Sequence, residues 1–153
     1  MKIRQFVTFK SDLFSLKERN HHINECCRAE NVGRWLLGRL REESDLDFAD
    51  LYQEDFGWVI DSTIEKSSDV VMIIIRFFEP TNSTPYPLLG IDIDDRITII
   101  TGLFRRKRRE LVSSQRMMLT ELIDKILHAE SGIEKVEWWH DGFVCGVPAP
   151  SPK

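Results

Sequence analysis

The sequence predicts an α+β domain: a mostly antiparallel β-sheet with two main helices packed on one face, in the order β-α-β-β-β-β-β-α-β. Three observations carry this. Val70 to Phe78 is a nearly unbroken apolar run rich in β-branched and aromatic residues, too short to span a bilayer and closed by Glu79-Pro80, as in a buried central strand. Trp58 to Ile64 alternates apolar and polar residues, and Glu65-Lys66-Ser67-Ser68-Asp69 supplies the polar turn that pairs the two stretches as an antiparallel hairpin. Two amphipathic segments bracket this run of strands rather than alternating with single strands, which favours α+β over a parallel α/β sheet.

In chain order, Lys2 to Phe9 has an imperfect period of two and reads as a first strand. From about Ile23 to Glu43, Ala29, Val32, Leu36, Leu37 and Leu40 recur at helical spacing with arginines on the other faces. Gly33 and Gly38 weaken that helix by about 1 kcal/mol each, so either another element approaches closely there or the helix is shorter. Ser44 to Tyr52 reads as a short extended segment, and Gln53-Glu54-Asp55-Phe56-Gly57 as a turn into the hairpin. Three prolines make residues 79–87 an irregular, exposed loop. Leu88 to Asp94 and Arg96 to Leu103 read as short strands, followed by a charged loop. A second helix starts at Ser113 or Ser114 and buries Met117, Met118, Leu122, Ile123, Ile126 and Leu127, stopping at Gly132. Ile133 to Trp139 closes the sheet.

The chain has 153 residues, 42% of them hydrophobic, enough for one domain (residues 1–147) with a frayed tail (148–153) and no need of disulfide or metal staples. The formal charge of −4 speaks against a dedicated nucleic-acid binder. Charge is segregated, however: Arg41 to Val70 holds ten acidic and two basic residues, whereas Thr101 to Thr120 holds six basic and one acidic. No apolar stretch has the length of a signal or a membrane span, and three cysteines do not build a disulfide framework, so the expected setting is cytoplasmic with reduced, partly buried thiols.

Motifs for chemistry are weak. His21-His22 near Cys26-Cys27 invites a zinc reading, but no set of four ligands in paired spacing exists and adjacent cysteines rarely share an ion, so neither metal nor cofactor is expected. His140, Asp141 and Cys145 lack the context that would activate a thiol, and no catalytic residues are assigned. Asp92 and Asp94 project to one side of a strand, with Asp95 beside them; they read as solvated carboxylates of an edge or turn, or as an acidic contact surface. Arg105, Arg106, Lys107, Arg108 and Arg109 would suit phosphates, though no stacking aromatics interleave them. Trp138 and Trp139 point to opposite sheet faces, one into the core and the other a candidate partner anchor.

The pieces Trp35-Leu36, Glu54-Asp55-Phe56-Gly57-Trp58, the basic run, Met117 to Leu127 and Val136 to Trp139 together resemble a group of small, poorly characterised bacterial α+β proteins. Their shared pattern is an E-D-x-G-W turn into a long hydrophobic hairpin and a closing strand near Trp-Trp. In size, acidity and absence of catalytic machinery the chain is also similar to the immunity proteins of contact-dependent growth inhibition and related toxin systems. That resemblance implies a non-catalytic binding protein that blocks a cognate toxin, a basic nuclease domain, with a surface drawn from Glu54, Asp55, Trp58, Asp92, Asp94, Asp95 and Trp139. The alternative expectation is a nucleic-acid-associated regulator that uses Arg105 to Arg109.

Overall fold

The computed structural model describes residues 6–17, 19, 21–63, 70–94, 96–101, 105–110, 114–140, 148 and 149, with backbone only for 96–101, 105–110 and 148–149. It is α+β. Strands β1 (Phe6–Ser11), β2 (Tyr52–Glu54), β3 (Gly57–Thr63), β4 (Val70–Phe78), β5 (Leu88–Asp94), β8 (Ile133–Trp139) and β9 (Pro148–Ala149) form a seven-stranded sheet in the order β2-β3-β4-β5-β1-β8-β9. All its pairings are antiparallel. β6 (Arg96–Thr101) and β7 (Arg105–Glu110) make a separate two-stranded antiparallel ribbon.

The expected hairpin is present, with Trp58 opposite Ile75 and Ile60 opposite Ile73. Strand alternation then sends Val71, Ile73, Ile75 and Phe77 to the side carrying helices α1 (Glu30–Glu43) and α2 (Ser114–Ala129). There they join Val7, Trp58, Ile60, Ile91 and Trp138 from the neighbouring strands, and Leu36, Leu40, Leu119 and Ile123 from the helices, in one continuous core. The other face is also closed at its centre. Val59, Ile74, Asp92 and Phe6 form a row across β3, β4, β5 and β1, and all four are buried. This accounts for Ile74 at the centre of the Val70 to Phe78 run, while Val70 at its start is exposed and Met72, Arg76 and Phe78 on the same face are partly buried.

α1 is shorter than its periodicity suggests, because Glu25–Ala29 is a 3-10 turn. Both explanations for its glycines contribute. A β-carbon on Gly33 would lie 2.8 Å from Leu51 Cδ1, so the segment leading into β2 lies against the helix there, whereas one on Gly38 would meet nothing within 4 Å. α2 buries Ile123, Ile126 and Leu127 as read from its apolar residues, but its first turns face differently. Met117 and Met118 are exposed, while Gln115, Arg116, Leu119, Thr120, Ile123, Ile126 and Leu127 are buried. The reason is local: Gln115 Nε2 donates to Ser62 Oγ (2.8 Å) and to the Thr63 carbonyl (2.9 Å), so a polar side chain takes the inward position over the end of β3.

Two further expectations change. The charged stretch after residue 104 is a strand, β7, rather than a loop. Pro148 and Ala149, expected in a frayed tail, pair with Trp139 and Trp138. No helix among the described residues is long and apolar enough to cross a membrane.

Candidate functional site

The edge of the sheet at β2 is where the sequence signals converge. The β2-to-β3 turn is Asp55-Phe56, closed by Gly57 at φ +148°, where any β-carbon would come within 2.5 Å of the Ile75 carbonyl oxygen. Glycine is therefore required by both backbone conformation and space. Against this turn lies the His21 to Cys27 segment. Gln53 ties it at two points, accepting from the Ile23 amide (3.0 Å) and donating to the His21 carbonyl (2.9 Å). Asn24 Nδ2 donates to the Asp55 carbonyl, and the Cys27 thiol to the Glu54 carbonyl at 3.2 Å. Trp58 Nε1 donates to the Cys27 carbonyl (2.6 Å), and its ring meets those of His21 and His22 edge-on at 6.4 Å. The E-D-F-G-W turn and the histidine-cysteine segment are one structural unit.

Glu30, the first residue of α1, sits beneath this unit and is only 5% exposed. Its Oε1 accepts from Arg34 Nε (3.1 Å) and Nη2 (2.8 Å). Its Oε2 faces His21 Nε2 at 2.7 Å, His22 Nε2 at 3.5 Å and Arg19 Nη1 at 3.6 Å. Burial alone would raise the pKa of this carboxyl, but the hydrogen bonds from Arg34 and His21, with the His22 imidazole close by, outweigh it and bring the pKa down from 4.5 to about 2. The cysteines behave differently. Burial first, and then the neighbouring Cys27, push the Cys26 thiol up to about 11, which makes it a poor nucleophile. Both thiols are free, Cys26 half-buried and Cys27 buried, as expected.

The outer side of the same edge is acidic. From Glu42 to Asp55 the chain carries seven carboxylates and no basic residue. Some are neutralised: Glu42 and Glu43 by Arg39, Glu43 also by Lys125, and Asp50 by Arg41. Asp45, Asp47, Glu54 and Asp55 are exposed and make no ion pair with a described residue. They follow one edge, since Phe48 bridges to Ser62 near one end of β3 and Glu54 pairs with Gly57 at the other, about 17 Å apart at about 3.3 Å per residue. At the turn end Phe56 is 39% exposed.

The residues named from sequence thus separate. Glu54 and Asp55 lie on this edge, at the turn. Trp58 is 6% exposed with its N–H satisfied inside, so it holds the unit together and would have to leave the core to anchor a partner. Asp92 and Asp94 share a face of β5, two strands further in. Asp92 is only 9% exposed and 3.9 Å from Arg76, so it is no solvated turn carboxylate; Asp94 is half-buried. Trp138 is the core member of the tryptophan pair, bonded to Asp124 Oδ1 at 2.7 Å, and Trp139 is half-buried with Nε1 on Thr8 Oγ1 at 3.0 Å. Arg105, Arg106, Lys107, Arg108 and Arg109 lie in β7. Asp95, Asp141 and Cys145 fall outside the described residues. Asp45 and Asp47 belong to the acidic stretch from Glu42 to Asp55 whose carboxylates the sequence also offers as contact candidates, whereas sequence reasoning missed Phe56 as a surface group and Glu30 as the partner of both histidines. The E-D-x-G-W pentapeptide was the signal available, because the residue at its variable position is the one the turn exposes. Comparison with protein-family models, with curated proteins and with solved structures finds no match to this chain.

Proposed function

We propose that the protein is a non-catalytic binding protein, an immunity protein that neutralises a cognate cytoplasmic toxin by covering its active site with the acidic β2 edge. The observation that carries this reading is the line of exposed carboxylates Asp45, Asp47, Glu54 and Asp55, none ion-paired among the described residues, ending at the half-exposed ring of Phe56. A basic nuclease site is built to hold phosphates, and carboxylates spaced along a rigid strand edge compete for the same cations while steering the encounter. Phe56 supplies the apolar contact that lets such an interface exclude water. It takes the role expected of Trp58. Occlusion needs no nucleophile and no bound group.

The test is capture with the purified protein as bait, beside a variant carrying Asp45→Asn, Asp47→Asn, Glu54→Gln and Asp55→Gln. The expected result is a basic protein retained by the wild type and released by salt, lost with the variant, and toxic to cells unless the wild-type protein is co-expressed. Recovery of RNA or DNA instead, held by the carboxylate variant and lost when Arg105 to Arg109 are changed to alanine, would establish the nucleic-acid reading in its place.

A further inference from the structure

We propose that His21, His22 and Glu30 form a binding site for a divalent transition metal ion of the zinc class. Their donor atoms lie within 4.8 Å of one another. Two imidazole nitrogens and one carboxylate oxygen are a donor set that zinc accepts readily, at about 2.0–2.2 Å per bond. Tetrahedral geometry at those lengths puts ligand atoms about 3.3 Å apart. His22 Nε2 and Glu30 Oε2 are already 3.5 Å apart, and His21 Nε2, at 2.7 Å, has to move outward by a little over half an ångström, which its half-exposed side chain permits.

Three features favour an ion over a simple ion pair. The His22 side chain is 2% exposed and its buried Nε2, 3.5 Å from Glu30 Oε2, has no hydrogen-bond partner among the described residues. Such an atom is costly to bury unless something answers it. The two oxygens of Glu30 have separate duties: Arg34 grips Oε1 through two nitrogens and leaves Oε2 to the histidines, the outer-shell arrangement that orients a metal-binding carboxylate. The backbone is also fixed in advance, because Gln53 holds the His21 carbonyl and the Ile23 amide, and the His22 amide donates to the Arg19 carbonyl at 3.0 Å.

Occupation has identifiable costs. Arg19 Nη1, 3.6 Å from Oε2, has to swing away, which its exposed side chain allows. His22 Nδ1 accepts the Arg19 amide at 3.3 Å in the empty arrangement, and metal on Nε2 would place a proton on Nδ1 and break that bond. Protons compete with the metal for the ligating nitrogens, so affinity falls as pH drops. Three protein ligands leave one coordination position for water or for a donor from a partner.

The experiment is calorimetric titration of zinc into the chelator-treated full chain, with melting curves in parallel. The wild type is expected to bind one ion and to melt higher as zinc increases, because the ion binds the folded state. Glu30→Gln removes a buried carboxylate and carries a folding risk, so the deciding variant is His21→Ala, whose side chain is half-exposed. It is expected to stay folded and to weaken zinc binding by more than the ~10–100-fold typical of losing an outer-shell partner. The double variant Cys26→Ser/Cys27→Ser is expected to bind as the wild type does. The proposal is overturned if the wild type binds no zinc, if His21→Ala binds it equally well, or if binding disappears in the cysteine variant.

Discussion

β4 pairs with β3 over six residues and with β5 over seven, and Val59, Ile60, Ile73, Ile74, Ile75, Ile91 and Ile93 there are all buried. β2 pairs with β3 over three residues, and side-chain-to-backbone bonds from Gln53, Asn24 and Cys27 hold the segment beside it. In the first region apolar area and ladder hydrogen bonds set the geometry, and a changed residue is felt as lost volume. In the second, few side chains are deeply buried, and specific polar atoms decide where the backbone lies. A region of the second kind can carry exposed charge without disturbing the packed sheet centre.

The largest effect that would test this contrast belongs to the sheet centre: Ile74→Ala should cost about 2–5 kcal/mol in urea unfolding. A loss below about 1 kcal/mol would mean that the outer face of β4 is not packed as described. Glu30→Gln comes next, at about 1–3 kcal/mol, since it weakens the charge-assisted bonds that join α1 to the histidine segment. Its pH dependence is specific. The folded-state pKa of about 2 lies below the ordinary 4.5, so the ionised carboxylate adds stability above about pH 4.5, and that contribution is lost as pH falls toward 2. Acid titration of wild type and Glu30→Gln should therefore converge over that window; parallel curves would show that the carboxylate is not held as described.

Gly38→Ala and Gly33→Ala form a finer test of the edge. Gly38 is exposed with open space around a new β-carbon, so alanine should stabilise by about 0.5–1 kcal/mol. At Gly33 the same change pushes Leu51 and should cancel that gain. Equal stabilisation at both would show that the segment leading into β2 does not lean on α1. Smallest of all, Asp45→Asn with Asp47→Asn should shift stability by no more than about 0.5 kcal/mol. The same pair should slow association with a basic partner at low salt, since exposed charges are screened beyond about 8 Å at physiological ionic strength; an unchanged rate would remove these two carboxylates from the contact surface.

Elements whose signal is local were legible in the sequence. The apolar run of β4, the alternation of β3 and the periodicity of α1 each state their own geometry, and β5 and β8 were bounded by turn residues. β7 was not, because a run of arginines has no apolar alternation to announce a strand. In α2 the inward face is legible at Ile123, Ile126 and Leu127 but not in the first turns, where Met117 and Met118 look like core until the bond from Gln115 to Ser62 is known. The cluster of His21, His22 and Glu30 is illegible for a similar reason. Cysteine drew attention as the usual zinc ligand, whereas His21 and His22 meet Glu30 through a non-helical turn whose path no spacing rule gives. Tryptophan is common in interfaces, which makes Trp58 a candidate anchor in the sequence, yet its N–H donates to the Cys27 carbonyl inside.

The position of β1 has a consequence for how the molecule comes into being. Phe6 pairs with Asp92 on one side and Trp139 on the other, so this early strand has no neighbour until most of the chain has been made. On a ribosome, β3 and β4 can zip together soon after they emerge, while β1 waits beside them with its apolar residues uncovered. Closing loops of that length is slow relative to a local hairpin. The final folding step should then be the capture of β1 between β5 and β8, and the species that precedes it, with two strand edges open, is the one most exposed to mispairing with another nascent chain.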